Sequence, residues 1–86
     1  MQTVVAVHEV DDVDHWAASP KRQEFFGAQG MSVRIFRDPQ GSNRVAVLIE
    51  TPDMETLEAA LQTEEAAAAM EHDGVRPETL QMFVED

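Results

Sequence analysis

The 86-residue chain carries seventeen acidic against six basic residues, a formal net charge of −11, and no cysteine. Disulfides and thiolate metal sites are thereby excluded, and so acidic a surface repels nucleic acid and anionic lipid. No apolar run approaches the ~20 residues of a membrane span, and the N-terminus lacks the basic start and apolar centre of a signal peptide. The expectation is a cytoplasmic protein with neither a nucleic-acid nor a membrane partner. Residues 1–86 make one domain, near the size at which a single core barely suffices, so a second subunit is the natural supplement.

In chain order, residues 2–10 read as a first strand, apolar throughout Val4-Val5-Ala6-Val7 and ending in His8-Glu9-Val10. Asp11 or Asp12 is placed to cap a helix, with Asp14 near the positive end of its dipole. Ser19-Pro20 interrupts, which predicts a short turn at 12–18 and a restarted helix at 20–28 that buries Phe25 and Phe26 and stops at Gly30. Residues 31–37 and 44–50 alternate with period two and are joined by Asp38-Pro-Gln-Gly-Ser-Asn43, a hairpin connection rich in turn formers. Pro52-Asp53 opens a helix with Met54, Leu57 and Leu61 on one face. Thr63 caps its continuation through four alanines to Met70, and Asp73-Gly74 ends it. Pro77 to Val84 is the last strand. The order β-α-β-β-α-β predicts the ferredoxin-like α+β fold, a four-stranded antiparallel sheet with two helices on one face.

Alternation sorts the strands into two faces. Val5, Val7, Met31, Val33, Ile35, Val45, Val47, Ile49, Leu80, Met82 and Val84 form a uniformly apolar set, expected beneath the helices. Val4, Ala6, His8, Arg34, Phe36, Leu48, Gln81 and Phe83 fall in a mixed set. A half-apolar second face implies a covering partner, and a second copy packed sheet to sheet is the simplest. The polar members are expected to gather in a small-molecule cavity between the sheet and the first helix.

The succession His8, Asp12, Trp16, Arg34, then Met70 with Gly74-Val75, set on this frame, resembles the dimeric α/β-barrel superfamily. That group includes the antibiotic-biosynthesis monooxygenases and small cyclase-like proteins, and the likeness covers nearly the whole chain. It implies a sheet-to-sheet homodimer with a cavity in each protomer. It also implies cofactor-free chemistry on an aromatic or polyketide-like substrate: cyclisation, isomerisation or monooxygenation. The chain has no tyrosine and no asparagine in its first helix, departing from the best-known oxygenase pattern. The resemblance therefore carries the fold further than the activity.

His8 is the natural acid/base group, since its unperturbed pKa lies near neutrality. Asp12 is placed either to orient it or to cap the helix. Arg34 offers a planar fork for a carboxylate, enolate or phenolate, or else an ion pair with Glu50. Trp16, Phe36, Leu48, Gln81 and Phe83 complete the expected substrate-binding wall. His15 and His72 read as solvated helix residues. No histidine pair shares a predicted face, so neither a metal site nor a cofactor is expected. Without cysteine, and with no serine at a nucleophile elbow, covalent catalysis is disfavoured. A non-catalytic dimer that binds or senses a small ligand is the alternative.

Overall fold

A computed structural model describes residues 1–86 as β1 (Gln2–Val10), α1 (Val13–Ala18), α2 (Lys21–Ala28), β2 (Ser32–Arg37), β3 (Arg44–Thr51), α3 (Met54–Leu61), α4 (Glu64–Asp73) and β4 (Val75–Val84). The strands pair antiparallel throughout, in the order β2-β3-β1-β4. This is the expected ferredoxin-like sheet, with each crossover helix broken into two pieces. No helix is long and apolar enough to cross a membrane.

Local chemistry sets the breaks. Asp12 caps α1 by accepting the His15 amide at 3.1 Å. Ser19 leaves α1 in extended backbone, and its hydroxyl accepts from the Lys21 amide as α2 begins. Asp53 caps α3 through the Thr56 amide at 2.7 Å. Thr63 closes α3 and opens α4 with one hydroxyl, which donates to the Ala60 carbonyl and accepts from the Ala66 amide. Gly74 ends α4 at φ 73°, a left-handed conformation that a side chain resists.

The register shows which face is covered. Val4 lies opposite Ile49, Ala6 opposite Val47 and His8 opposite Val45, and directly opposed residues share a face. Val4, Ala6, His8 and Val10 are therefore buried beneath the helices, together with Val45, Val47, Ile49, Trp16, Phe26 and Leu57. This corrects the sequence assignment of β1, which had Val5 and Val7 inward. The assignments of β2 and β3 stand, as do those of Leu80 and Met82, whereas Val84 is exposed at the strand end. The slip has a physical cause: β1 is apolar on both sides, so its alternation carries no direction, and a one-residue shift exchanges the faces.

The uncovered face consists of cross-strand rows. Arg34, Leu48, Val5 and Phe83 form one, and Phe36, Ala46, Val7 and Gln81 form the next. Phe36 and Phe83 are 47% and 58% exposed, so the chain presents large apolar side chains on this face.

β4 departs from its ladder beside His8. Val7 pairs with Gln81 but Glu9 pairs with Arg76, so three extra residues of β4 bow out opposite one residue of β1. The Thr79 hydroxyl replaces the missing ladder acceptor: it accepts the Glu9 amide at 2.9 Å and donates to the Arg76 carbonyl at 2.6 Å. Pro77, which has no amide hydrogen to give, lies within the bulge.

Candidate functional site

Between the sheet and helices α2 and α4 lies a cavity of about 180 Å³. The sheet contributes Ala6, Val47, Ile49, Leu80 and Met82, and α2 contributes Phe25 and Phe26. Ala66 and Ala69 of α4 also line it, and these methyl-sized side chains are too small to fill the layer. The alanine run thus has a second consequence beyond helix propensity: it leaves room. Most of the wall is apolar, and its polar members are His8, Arg22 and Asp73.

His8 is 5% exposed and meets the buried Trp16 edge to face, with ring centroids 5.9 Å apart at 79°. The Arg22 guanidinium lies over the Trp16 ring, 4.5 Å from its centroid. Both of its terminal nitrogens donate to the Trp16 carbonyl at 3.3 Å. Asp73 is 4% exposed, and its carboxylate lies 3.9 Å from Arg22, too long for a direct hydrogen bond. Its other oxygen accepts from His72 Nδ1 at 2.9 Å. Across the whole chain, two buried side-chain polar atoms have no hydrogen-bond partner: His8 Nδ1 and Arg22 Nε. Both residues line the cavity.

Burial pushes the His8 imidazole below its ordinary pKa, the neighbouring Arg22 charge pushes it further, and the Glu9 backbone opposes them. The group is thus held neutral, with a lone pair, at neutral pH. Arg22 is also lowered, by burial against the opposing attraction of Asp73, yet a guanidinium remains charged at any ordinary pH. The site therefore combines a neutral base, a fixed cation and an aromatic plate at one end of an apolar hollow.

Of the residues expected at the site, His8 and Trp16 come together. Asp12 does not join them; its carboxylate is committed to the α1 cap and makes no hydrogen bond to His8. Arg34, Phe36, Leu48, Gln81 and Phe83 lie on the opposite face of the sheet and line no part of this cavity. The register sets Arg34 against Leu48 and Glu50 against Ser32, which makes Arg34 and Glu50 diagonal neighbours on one face as expected, yet they form no ion pair. Arg22 and Asp73 were missed. Each had a signal in helical spacing: Arg22 precedes Phe25 and Phe26 by three and four residues, and Asp73 follows Ala66, Ala69 and Met70 by seven, four and three. A charge set on an apolar stripe is either an error of phase or a buried functional group.

The sequence matches no family model and no curated protein. Solved structures match over its full length. An antibiotic biosynthesis monooxygenase structure aligns at TM-score 0.68 and 16% identity, covering 100% of this chain and 97% of the other. A candidate antibiotic biosynthesis monooxygenase from Bordetella bronchiseptica aligns at TM-score 0.74 and 16% identity, covering 99% and 94%. An ethyl tert-butyl ether D family protein from Bacillus halodurans aligns at TM-score 0.55 and 19% identity, covering 100% and 98%. At such identities the likeness establishes architecture: this chain has the ferredoxin-like α+β fold seen in antibiotic biosynthesis monooxygenase structures.

Proposed function

We propose that the protein is a cytoplasmic homodimer that binds a small, mostly apolar molecule between sheet and helices and moves a proton on it without a cofactor. The observation that carries this reading is the placement of the two unpartnered buried nitrogens, His8 Nδ1 and Arg22 Nε, in residues lining one apolar cavity. An unmet buried polar atom costs about 1–3 kcal/mol, and two at one place are more economically explained by a ligand than by packing. His8 takes a proton from a phenol, enol or carbon acid, Arg22 stabilises the resulting oxyanion, and Trp16 forms the aromatic wall. Cyclisation, isomerisation and monooxygenation of an aromatic or polyketide-like compound all begin with such a step. In this reading Arg22 takes the role expected of Arg34, and Phe36, Leu48 and Phe83 bury the dimer face.

A second reading, a non-catalytic binding protein, draws support from one feature: His8 Nδ1 makes no hydrogen bond, so no side chain orients it in the way a catalytic dyad would. A single experiment addresses both. Trp16 is the only tryptophan, so its fluorescence reports occupancy as aromatic acids, phenols and hydroxyquinones are titrated into wild type and Ala69→Leu. Ligands that quench wild type should bind the filled-cavity variant at least ~10-fold more weakly, as expected of a pocket occupied by a larger side chain. Equal binding by both variants, or no binding by either, defeats the pocket. Mass-spectrometric turnover of a bound compound, lost in His8→Leu, separates enzyme from binder.

A further inference from the structure

Outside the cavity, α1 and the end of α4 bring together three groups that are far apart in sequence. One ligand atom from each of His15, His72 and Asp73 can be chosen so that all three lie within 4.8 Å of one another. The two imidazole rings face each other at 5.4 Å between centroids, and His15 Nε2 donates to the His72 carbonyl at 2.8 Å. His72 Nδ1 meets Asp73 Oδ1 at 2.9 Å. Both imidazoles are reachable from solvent, whereas the carboxylate is almost wholly buried.

From this geometry we infer a divalent transition-metal site formed by His15, His72 and Asp73. Two imidazoles and a carboxylate suit Zn²⁺, Ni²⁺, Co²⁺ or Cu²⁺; Ca²⁺ and Mg²⁺ require shells made of oxygen. Tetrahedral coordination at metal–ligand distances near 2.0–2.2 Å sets ligand atoms roughly 3.3 Å apart. The triad closes to that separation by rotation of the exposed His15 ring toward the other two, with water in the fourth position.

Two further observations point to a cation here. The one arginine or lysine in ion-pair reach of the buried Asp73 carboxylate is Arg22 at 3.9 Å, and its guanidinium also donates to the Trp16 carbonyl. The carboxylate therefore holds unspent attraction for a second cation. The ligand-bearing elements are also fixed in advance: Gly74, directly after the triad, accepts the Asp11 amide at 2.9 Å, and Asp11 adjoins the cap of α1. A net charge of −11 raises the local concentration of divalent cations at the two open imidazoles.

The test uses untagged, full-length protein and titration calorimetry with Zn²⁺ and Ni²⁺ at neutral pH, alongside His15→Gln, His72→Gln and the double variant. Glutamine keeps a side-chain hydrogen-bonding group while removing the imidazole, and thermal melts without metal verify that each variant is folded. One ion per chain is expected, with affinity at least about 10-fold weaker in each single variant and no saturable site in the double. Mg²⁺ in excess should not displace Zn²⁺. Binding that survives in the double variant assigns the ion to surface carboxylates and overturns the site. So does a wild type without a saturable one-ion isotherm.

Discussion

His8→Leu is the sharpest perturbation available, because structural and functional roles predict opposite outcomes for stability. Leucine is close to imidazole in volume and keeps the dispersion contact with Trp16. What it loses is the edge-to-face aromatic contact, worth about 0.5–1.5 kcal/mol. What it removes is the unpartnered Nδ1, a buried polar atom costing about 1–3 kcal/mol. At about pH 7.5 the variant should therefore be as stable as wild type or more stable by up to ~2 kcal/mol. Acid separates the two further. The folded pKa of His8 lies below its ordinary 6.5, mainly through burial. Below that pH the unfolded chain binds a proton that the native state refuses. Wild-type stability is thus complete above about 6.5 and declines as pH falls below it, by at most ~1.4 kcal/mol per unit until the folded pKa is reached. His8→Leu has no such loss, so its advantage should widen between about pH 7.5 and about pH 5.5. Urea unfolding followed by Trp16 fluorescence measures this, and taking the difference between proteins cancels every other titrating group. A variant more than ~2 kcal/mol below wild type, or a gap independent of pH, would refute the reasoning.

Arg22→Met should destabilise by about 2–4 kcal/mol, less than a tight buried pair because the contact is 3.9 Å, and adding Asp73→Asn should recover part of the loss in the same urea assay. Thr79→Val should cost about 1–3 kcal/mol by leaving the Glu9 amide and Arg76 carbonyl at the bulge unserved, while Thr79→Ser stays near wild type. Gly74→Ala should lower stability by about 1–2 kcal/mol, since φ is +73° and the new methyl would meet Asp11 Cβ at 3.4 Å. Leu48→Asp should convert a dimer to monomer in sedimentation at micromolar concentration; a wild type that already sediments at 9.6 kDa would rule out the sheet-to-sheet assembly.

The elements were legible because their ends are written in side chains with specific chemistry. Thr63 caps its helix as expected, Asp12 is the one of the two candidate aspartates that caps α1, Asp53 caps α3 at the expected Pro52-Asp53 opening, and Gly74 stops α4. β3 could be oriented because Arg44 and Glu50 at its ends mark the outer face, with Val45, Val47 and Ile49 inside. β1 has no such marker before Glu9, and the error there moved His8 onto the face of Arg34 and Phe36. Asp12 was ambiguous for a different reason: capping and dyad roles require the same residue at the same place, and only three-dimensional distance separates them. Arg22 and Asp73 were readable as charges on apolar stripes, but helices of eight and ten residues with weak amphipathicity give that phase little weight. Pairing of His15 with His72 could not be read at all, since 57 residues separate them and neither belongs to a local motif.

A chain of this size has roughly 4–13 kcal/mol of net stability to lose, which gives weight to the features gathered around one hollow. The bulge removes ladder bonds beside His8, alanines decline to fill α4's contact, and the Arg22–Asp73 pair is buried at 3.9 Å. Buried ion pairs of imperfect geometry seldom add stability over apolar replacements, so their retention favours a binding role. The field of the whole protein then restricts the ligand. A molecule already anionic in solution approaches a surface of net charge −11 against long-range repulsion, which salt screens. A neutral phenol, enol or carbon acid meets no such barrier. On the proposed reading it becomes anionic only inside, when His8 accepts the proton, and the new charge appears beside Arg22 in a medium where that attraction is strong. Binding of neutral ligands should therefore be insensitive to ionic strength. Preformed carboxylates should associate faster as salt is added, and the reverse ordering in stopped-flow quenching of Trp16 would exclude this charge-generating step.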